Sequence, residues 1–106
     1  MSLDVLVVYV PVPDTERVLA ALFEAGAGAI GDYRECAWVT EGTGQFRPVQ
    51  GADPAVGTVG ALEKVAENRI EVVLPRVRRG EAVAALRRAH PYEEPAFHVI
   101  EAAPTD

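Results

Sequence analysis

The string His90-Pro91-Tyr92-Glu93-Glu94-Pro95 puts an imidazole, a phenol and two carboxylates side by side. Such groups can hold a divalent cation, His90 through a ring nitrogen and Glu93 or Glu94 through oxygen. They can equally move protons in general acid–base chemistry. A second string, Glu41-Gly42-Thr43-Gly44-Gln45-Phe46-Arg47-Pro48, offers something different. Two glycines two apart let the backbone approach another group closely or take positive φ. Thr43 adds a hydroxyl and Arg47 a fixed cation. Glu41, Gly42, Thr43, Gly44, Arg47 and Tyr92 are therefore candidate binding residues for a phosphate, a carboxylate or a partner. Plainer readings stand beside these. The 41–48 string lacks the later glycine, lysine and Ser/Thr of a P-loop, which favours a bulged, glycine-kinked strand running into a ribbon. His90 can be a helix stop that complements the helix C-terminus while Tyr92 packs with its hydroxyl satisfied.

The elements that must position these strings follow from periodicity. Val5 to Val10 is continuously apolar, which suits a strand buried on both faces. Pro11 and Pro13 stop it, and Asp14 or Thr15 can cap a helix carrying Val18, Leu19, Leu22 and Phe23 at helical spacing. Gly26, Gly28 and Gly31 carry the turn that follows. Tyr33 to Thr40 reads as a second strand that contains Cys36 as a small buried hydrophobe. Residues 42–66 read as a long irregular connection. Glu67 to Leu74 returns to strand, Arg79 to Ala89 to helix, and Ala96 to Glu101 to a last strand.

Two of these units are spelled alike. Pro11 is matched by Pro75, and Ala20-Ala21-Leu22 by Ala84-Ala85-Leu86, at one constant offset. A repeated β-α-β unit predicts an α+β, ferredoxin-like split βαβ fold in the order β-α-β-β-α-β. Its four-stranded antiparallel sheet would carry both helices on one face and a long connection between strands two and three. That topology brings the 41–48 string and the 90–95 string to one sheet edge. It also leaves the other sheet face uncovered although strand one is apolar on both sides, so a homo-oligomer packed through that face is expected.

Residues 1–106 have the length of a single domain. The net charge of −6 argues against a nucleic-acid partner, since phosphates need a basic surface. Arg76, Arg78, Arg79, Arg87 and Arg88 are a local exception that reads as a solvated helix face, or else an anion patch. No apolar run is long enough to span a bilayer, so no membrane partner is expected. The start carries no basic leader, and a lone cysteine cannot form an internal disulfide, so a cytoplasmic location is expected. Cys36 has no neighbouring histidine, and no Ser-His-Asp, His-Glu-x-x-His or Cys-x-x-Cys arrangement completes a catalytic set.

Together the strings resemble one known domain. They are Tyr9-Val-Pro-Val12, the glycine turn from Leu22 to Tyr33, Thr40-Glu-Gly-Thr-Gly-x-Phe-x-Pro48, Gly57-x-x-Gly-x-Leu-Glu-x-Val65 and Ala89-His-Pro-Tyr-Glu-Glu-Pro-Ala96. They are similar to the YqfO-type domain of the NGG-interacting-factor-three-like (YqfO/YbgI) proteins. The resemblance implies a fold like CutA and the PII signalling proteins, hence a trimer. It places the parents' dinuclear metal centre on two flanking halves that this sequence does not contain. The domain therefore reads as standing alone, and the parents' metal ligands carry over to no position here. The leading expectation is a small cytosolic CutA/PII-like binding or regulatory module with a ligand or protein partner at the 41–48 and 90–95 edge. The alternatives are a divalent-metal binder using His90 with Glu41, Glu93 or Glu94, and a small metal-dependent hydrolase at the same edge.

Overall fold

The computed structural model of the chain describes residues 2–105. β1 (Leu3–Pro11) leads through a 3-10 turn at Val12–Asp14 into α1 (Thr15–Glu24). After the glycine turn come β2 (Trp38–Phe46) and β3 (Glu63–Pro75). A second 3-10 turn, Arg76–Arg78, opens α2 (Arg79–Ala89), and β4 (Phe97–Glu101) closes the fold. The sheet order is β2-β3-β1-β4, antiparallel throughout, which is the expected ferredoxin-like α+β arrangement.

The repeat in spelling is a repeat in structure. Pro11 and Pro75 each end a strand with nearly the same backbone, φ −52°, ψ 141° and φ −61°, ψ 136°. Fixed proline φ turns the chain out of the sheet, and a three-residue turn then starts the helix. The contacts repeat too, each made by one copy to the other. Arg79, first residue of α2, donates from Nε to Asp4 Oδ2 at 2.6 Å. At the matched positions, Asn68 Nδ2 donates to Thr15 Oγ1, first residue of α1, at 2.9 Å. A carboxylate–guanidinium pair in one place is an amide–hydroxyl pair in the other.

β1 is the centre of the molecule. Leu6, Val8 and Val10 face the helices and pack with Val18, Leu22, Ile70, Val72, Leu74 and Leu86. Val7 points to the opposite face and is also fully buried, so the both-sided burial read from the sequence holds. On that face Trp38 lies beside Glu71, Val7 and His98 in register, and Val73, Val5 and Ile100 form the next row. Trp38 is 67% exposed and Ile100 52% exposed.

Several expectations are corrected. β2 starts at Trp38 rather than Tyr33, because Ile30 and Tyr33 close a small bridge and Glu35 takes φ 58°, which breaks an extended run. Cys36 is thus in the loop, only partly buried, with its N–H donating to Gly28 O at 2.9 Å. Strand pairing continues through Thr43↔Ala66 to Phe46↔Glu63, so the irregular connection shrinks to residues 47–62. Asp14 sits at the helix N-cap without capping it, since its carboxylate takes Arg17 Nη2 at 2.9 Å instead. The arginine face is not simply solvated: Arg76 and Arg79 both grip Asp4, and Arg79 also reaches Glu101 at 2.8 Å. Arg78 pairs with Glu81, and Arg87 lies 5.1 Å over the Phe97 ring.

Asp4 has no solvent exposure, and a buried charge is tolerated only when paired. The Arg79 hydrogen bond, seconded by Arg76, outweighs desolvation and holds the Asp4 carboxyl below its ordinary value. A folded value below the unfolded one gives stability that is complete above about pH 4 and drains as pH falls through the lowered value. Asp4→Asn is expected to lower the urea midpoint at pH 7 and to flatten the midpoint's fall as pH drops below about 4. Chemical denaturation across that range checks both.

Candidate functional site

β3 is 13 residues long and β1 only 9, so β2 and β3 run on past Pro11 as a two-stranded ribbon. The chain is correspondingly elongated, 49 × 23 × 22 Å. The turn after α2 crosses the end of the sheet beneath this ribbon. Its anchor is His90, the residue that ends α2 in an extended conformation as the following proline requires.

His90 is 5% exposed, and both ring nitrogens are engaged. Nε2 lies 2.7 Å from Tyr9 O, an acceptor only, so this nitrogen carries the proton. Nδ1 accepts from the Tyr92 N–H at 3.1 Å. The ring therefore has no lone pair left for a cation. At the position matched to Tyr9 in the other copy, Val73 O is satisfied by the Gly28 N–H at 2.8 Å. One strand end is closed by a glycine turn and the other by an imidazole. The His90 N–H closes its own helix end on Leu86 O at 2.8 Å, but the ring does not complement that end, contrary to the sequence expectation, because it is spent on the central strand.

Tyr92 stands over His90 with ring centroids 5.1 Å apart and meets Phe46 edge-on at 5.6 Å. The Tyr92 and Phe46 rings wall a cleft of about 270 Å³ between the ribbon and the 90–95 turn. The 47–62 loop closes a further side with Pro48, Pro54, Ala55 and Val56. Gln45, Arg47, Glu67, Glu93 and Glu94 supply its polar groups, and Tyr9 and Ala96 complete the wall. Arg47 Nη1 donates to Gly60 O at 2.8 Å, and Glu93 Oε1 accepts from the Asp53 N–H at 3.0 Å, so both help hold the loop.

The Tyr92 hydroxyl is shielded from solvent and has no hydrogen-bond partner among the described residues, contrary to the expectation that it is satisfied. Desolvation first, and then the neighbouring charge of Glu67, push its pKa up to about 12. Glu67 influences the phenol without meeting hydrogen-bond geometry. Glu67 also explains Gly44. A side chain there would collide with the Glu67 carboxylate, so the glycine makes room for it and neither Gly42 nor Gly44 needs positive φ.

The two strings therefore converge only in part. Arg47, Tyr92, Glu93 and Glu94 line the main cleft. Glu41, Gly42, Thr43 and Gly44 line a shallower neighbour of about 190 Å³, which shares Tyr9 and Glu67 with it. Glu41 itself pairs with Asn68 in register. Glu41, His90, Glu93 and Glu94 are not gathered into a ligand set: among the described residues no three His, Cys, Asp or Glu groups are placed to hold a metal ion. Glu67, Tyr9 and Phe46 were missed by sequence reasoning. Their signal was available only in the strand period, since Phe46, Glu67 and Tyr9 fall on one sheet face once register is known.

No family model matches the chain. Among curated proteins, it is 57% identical over 103 residues to the GTP cyclohydrolase 1 type 2 homolog of Mycobacterium tuberculosis, which covers 97% of this chain and 27% of the relative. The protein of the same name from Bacillus subtilis is 46% identical, over 95% of this chain and 28% of its own length. The chain thus spans about a quarter of the length of the curated relatives it matches. Among solved structures, a Bacillus cereus protein related to NIF3 superposes with TM-score 0.84 at 41% identity, over 97% of this chain and 26% of that one. The periplasmic divalent cation tolerance protein CutA of Archaeoglobus fulgidus superposes with TM-score 0.70 at 16% identity, over 97% and 86%, a likeness of fold.

Removing the His90 ring strands Tyr9 O in the interior, so His90→Ala is expected to cost about 1–3 kcal/mol in urea unfolding. Tyr92→Phe removes an unpaired hydroxyl and should not lower stability at pH 7. Because the folded phenol titrates above the unfolded one, its contribution is complete below about pH 10 and is lost as pH rises toward about 12. Denaturation between pH 9 and pH 11.5 is expected to show a shallower decline in Tyr92→Phe than in the parent chain.

Proposed function

We propose that this chain, a YqfO-type domain of the NGG-interacting-factor-three-like family, is a small cytosolic CutA/PII-like module that oligomerises and binds a ligand or partner at the ribbon cleft. The observation that carries the binding role is the cleft itself. Its walls come from four separate segments, and its size suits a small molecule or one long side chain rather than a drug-sized ligand. Loops longer than about 12 residues without regular structure tend to be functional, and the 47–62 loop closes this cleft.

The assembly role rests on the uncovered sheet face. Trp38, Ile100, Val5 and Val73 lie there with no helix over them, and an exposed apolar face is a common mark of association. Arg69, Glu71 and His98 share the face, so the contact would be mixed rather than wholly apolar. The family resemblance favours a trimer. No helix of the described residues is long and apolar enough to cross a membrane.

The name of the curated relatives describes proteins about four times as long. We propose that a cyclohydrolase-type activity, where the whole relatives possess one, belongs to the parts of them outside this chain. The engaged nitrogens of His90 support that division.

Multi-angle light scattering at micromolar concentration is expected to give a mass near three times 11.4 kDa. Trp38→Glu, which places a charge on the exposed face without touching the core, should shift it toward one copy. A monomeric parent chain would refute the assembly role.

A further inference from the structure

The chemistry of the cleft is opposite to the anion cradle that the glycines and arginine of the 41–48 string suggested. Glu67, Glu93 and Glu94 line it against a single guanidinium, Arg47. Arg47 already donates to Gly60 O. None of the three carboxylates is within ion-pair distance of a cation among the described residues, whereas Asp4, Asp14, Glu81 and Glu101 all are. The remaining wall is aromatic and apolar. The Tyr92 hydroxyl adds a shielded oxygen with no partner.

Resting on the reading of the cleft as a binding site, we propose that its ligand is an organic cation, an alkylammonium group on an aliphatic stem. Each part of the cleft answers one part of such a ligand. An ammonium has donors for the Glu67 and Glu94 carboxylates and for the Tyr92 oxygen. The ring faces of Phe46 and Tyr92 attract a cation brought within about 6 Å of a centroid. Pro48, Pro54 and Val56 suit the stem, in a volume of about 270 Å³ that admits a short chain. A bare metal ion is a poor match, because no three ligating groups are placed together. An anion would face three carboxylates that no cation neutralises among the described residues. The group can come from a free amine or from a lysine side chain of a partner; the chemistry is the same.

The test is a series of amide correlation spectra of the full chain, titrated with n-butylammonium chloride and, separately, with N-acetyl-lysine methylamide. Sodium chloride at matched ionic strength and sodium phosphate serve as controls. Saturable shifts at Phe46, Val56, Tyr92 and Glu94 are expected with the ammonium probes and not with sodium chloride. Glu67→Gln should weaken binding by about tenfold, the loss of one charge-assisted hydrogen bond. Glu94→Gln, at an exposed turn position, provides a second reading should the first variant fold poorly. Tighter binding of the lysine derivative assigns the ligand to a protein, and tighter binding of the simple amine to a metabolite. Shifts equal to those of sodium chloride, or binding undiminished in both variants, overturn the cation assignment. Phosphate shifting the same amides while ammonium does not also overturns it, yet leaves the cleft a binding site.

Discussion

The rest of the fold depends on β1 being satisfied on every side. It is the one strand with hydrogen-bonded neighbours on both edges and fully buried residues on both faces. α2 fastens it at two points. Arg79 at the helix start holds Asp4, and His90 at the helix end holds Tyr9 O. The lengths agree. Five residues of strand rise about 17 Å and eleven residues of helix about 16 Å. Helix and strand can thus lie alongside each other with both ends locked, and neither contact works if the helix is shortened by a turn. Arg79 spans further to Glu101, tying β4 into the same lock.

The internal repeat explains why there is a site on one side only. The two copies make equivalent contacts with different chemistry, Asn68 to Thr15 against Asp4 to Arg79, and Gly28 to Val73 against His90 to Tyr9. A glycine turn ends the first helix tightly and sends the chain to the sheet edge as loop. A histidine followed by proline ends the second in extended backbone, and the chain crosses the sheet end with Tyr92 turned beneath the ribbon. The cleft forms where the copies differ. His90 is thus a positioning residue for the cleft wall, and its ring nitrogens are spent in that role.

The electrostatics divide along the same axis. At the end of the sheet that carries the termini, carboxylates and guanidiniums are paired and one carboxylate is wholly buried. At the ribbon end, Glu67, Glu93 and Glu94 line a concavity with no cation in ion-pair distance among the described residues. Pairing around Asp4 contributes to the fold, and the lack of a cation partner for the cleft carboxylates leaves charge available for recognition.

Much of this was legible in the residues. The apolar run at Val5 to Val10, the proline stops and the helical spacing of Val18, Leu22, Ala82 and Leu86 dictate the order of elements, because they are local properties of the chain. The repeated Pro and Ala-Ala-Leu spelling points to the topology, and with it the partial meeting of the 41–48 and 90–95 strings. Other features were beyond local reading. The start of β2 depended on one left-handed residue, Glu35, in a segment whose composition favours sheet. The extent of the ribbon depended on register, which neighbouring strands set. Arginines that look alike in sequence became a clasp on a buried carboxylate or a solvated pair according to whether Asp4 lay opposite. Above all, the roles of His90 and Glu67 were decided by tertiary structure. A side chain's chemistry is set by what its polar atoms face, and Tyr9 O and the Tyr92 phenol come from distant parts of the chain.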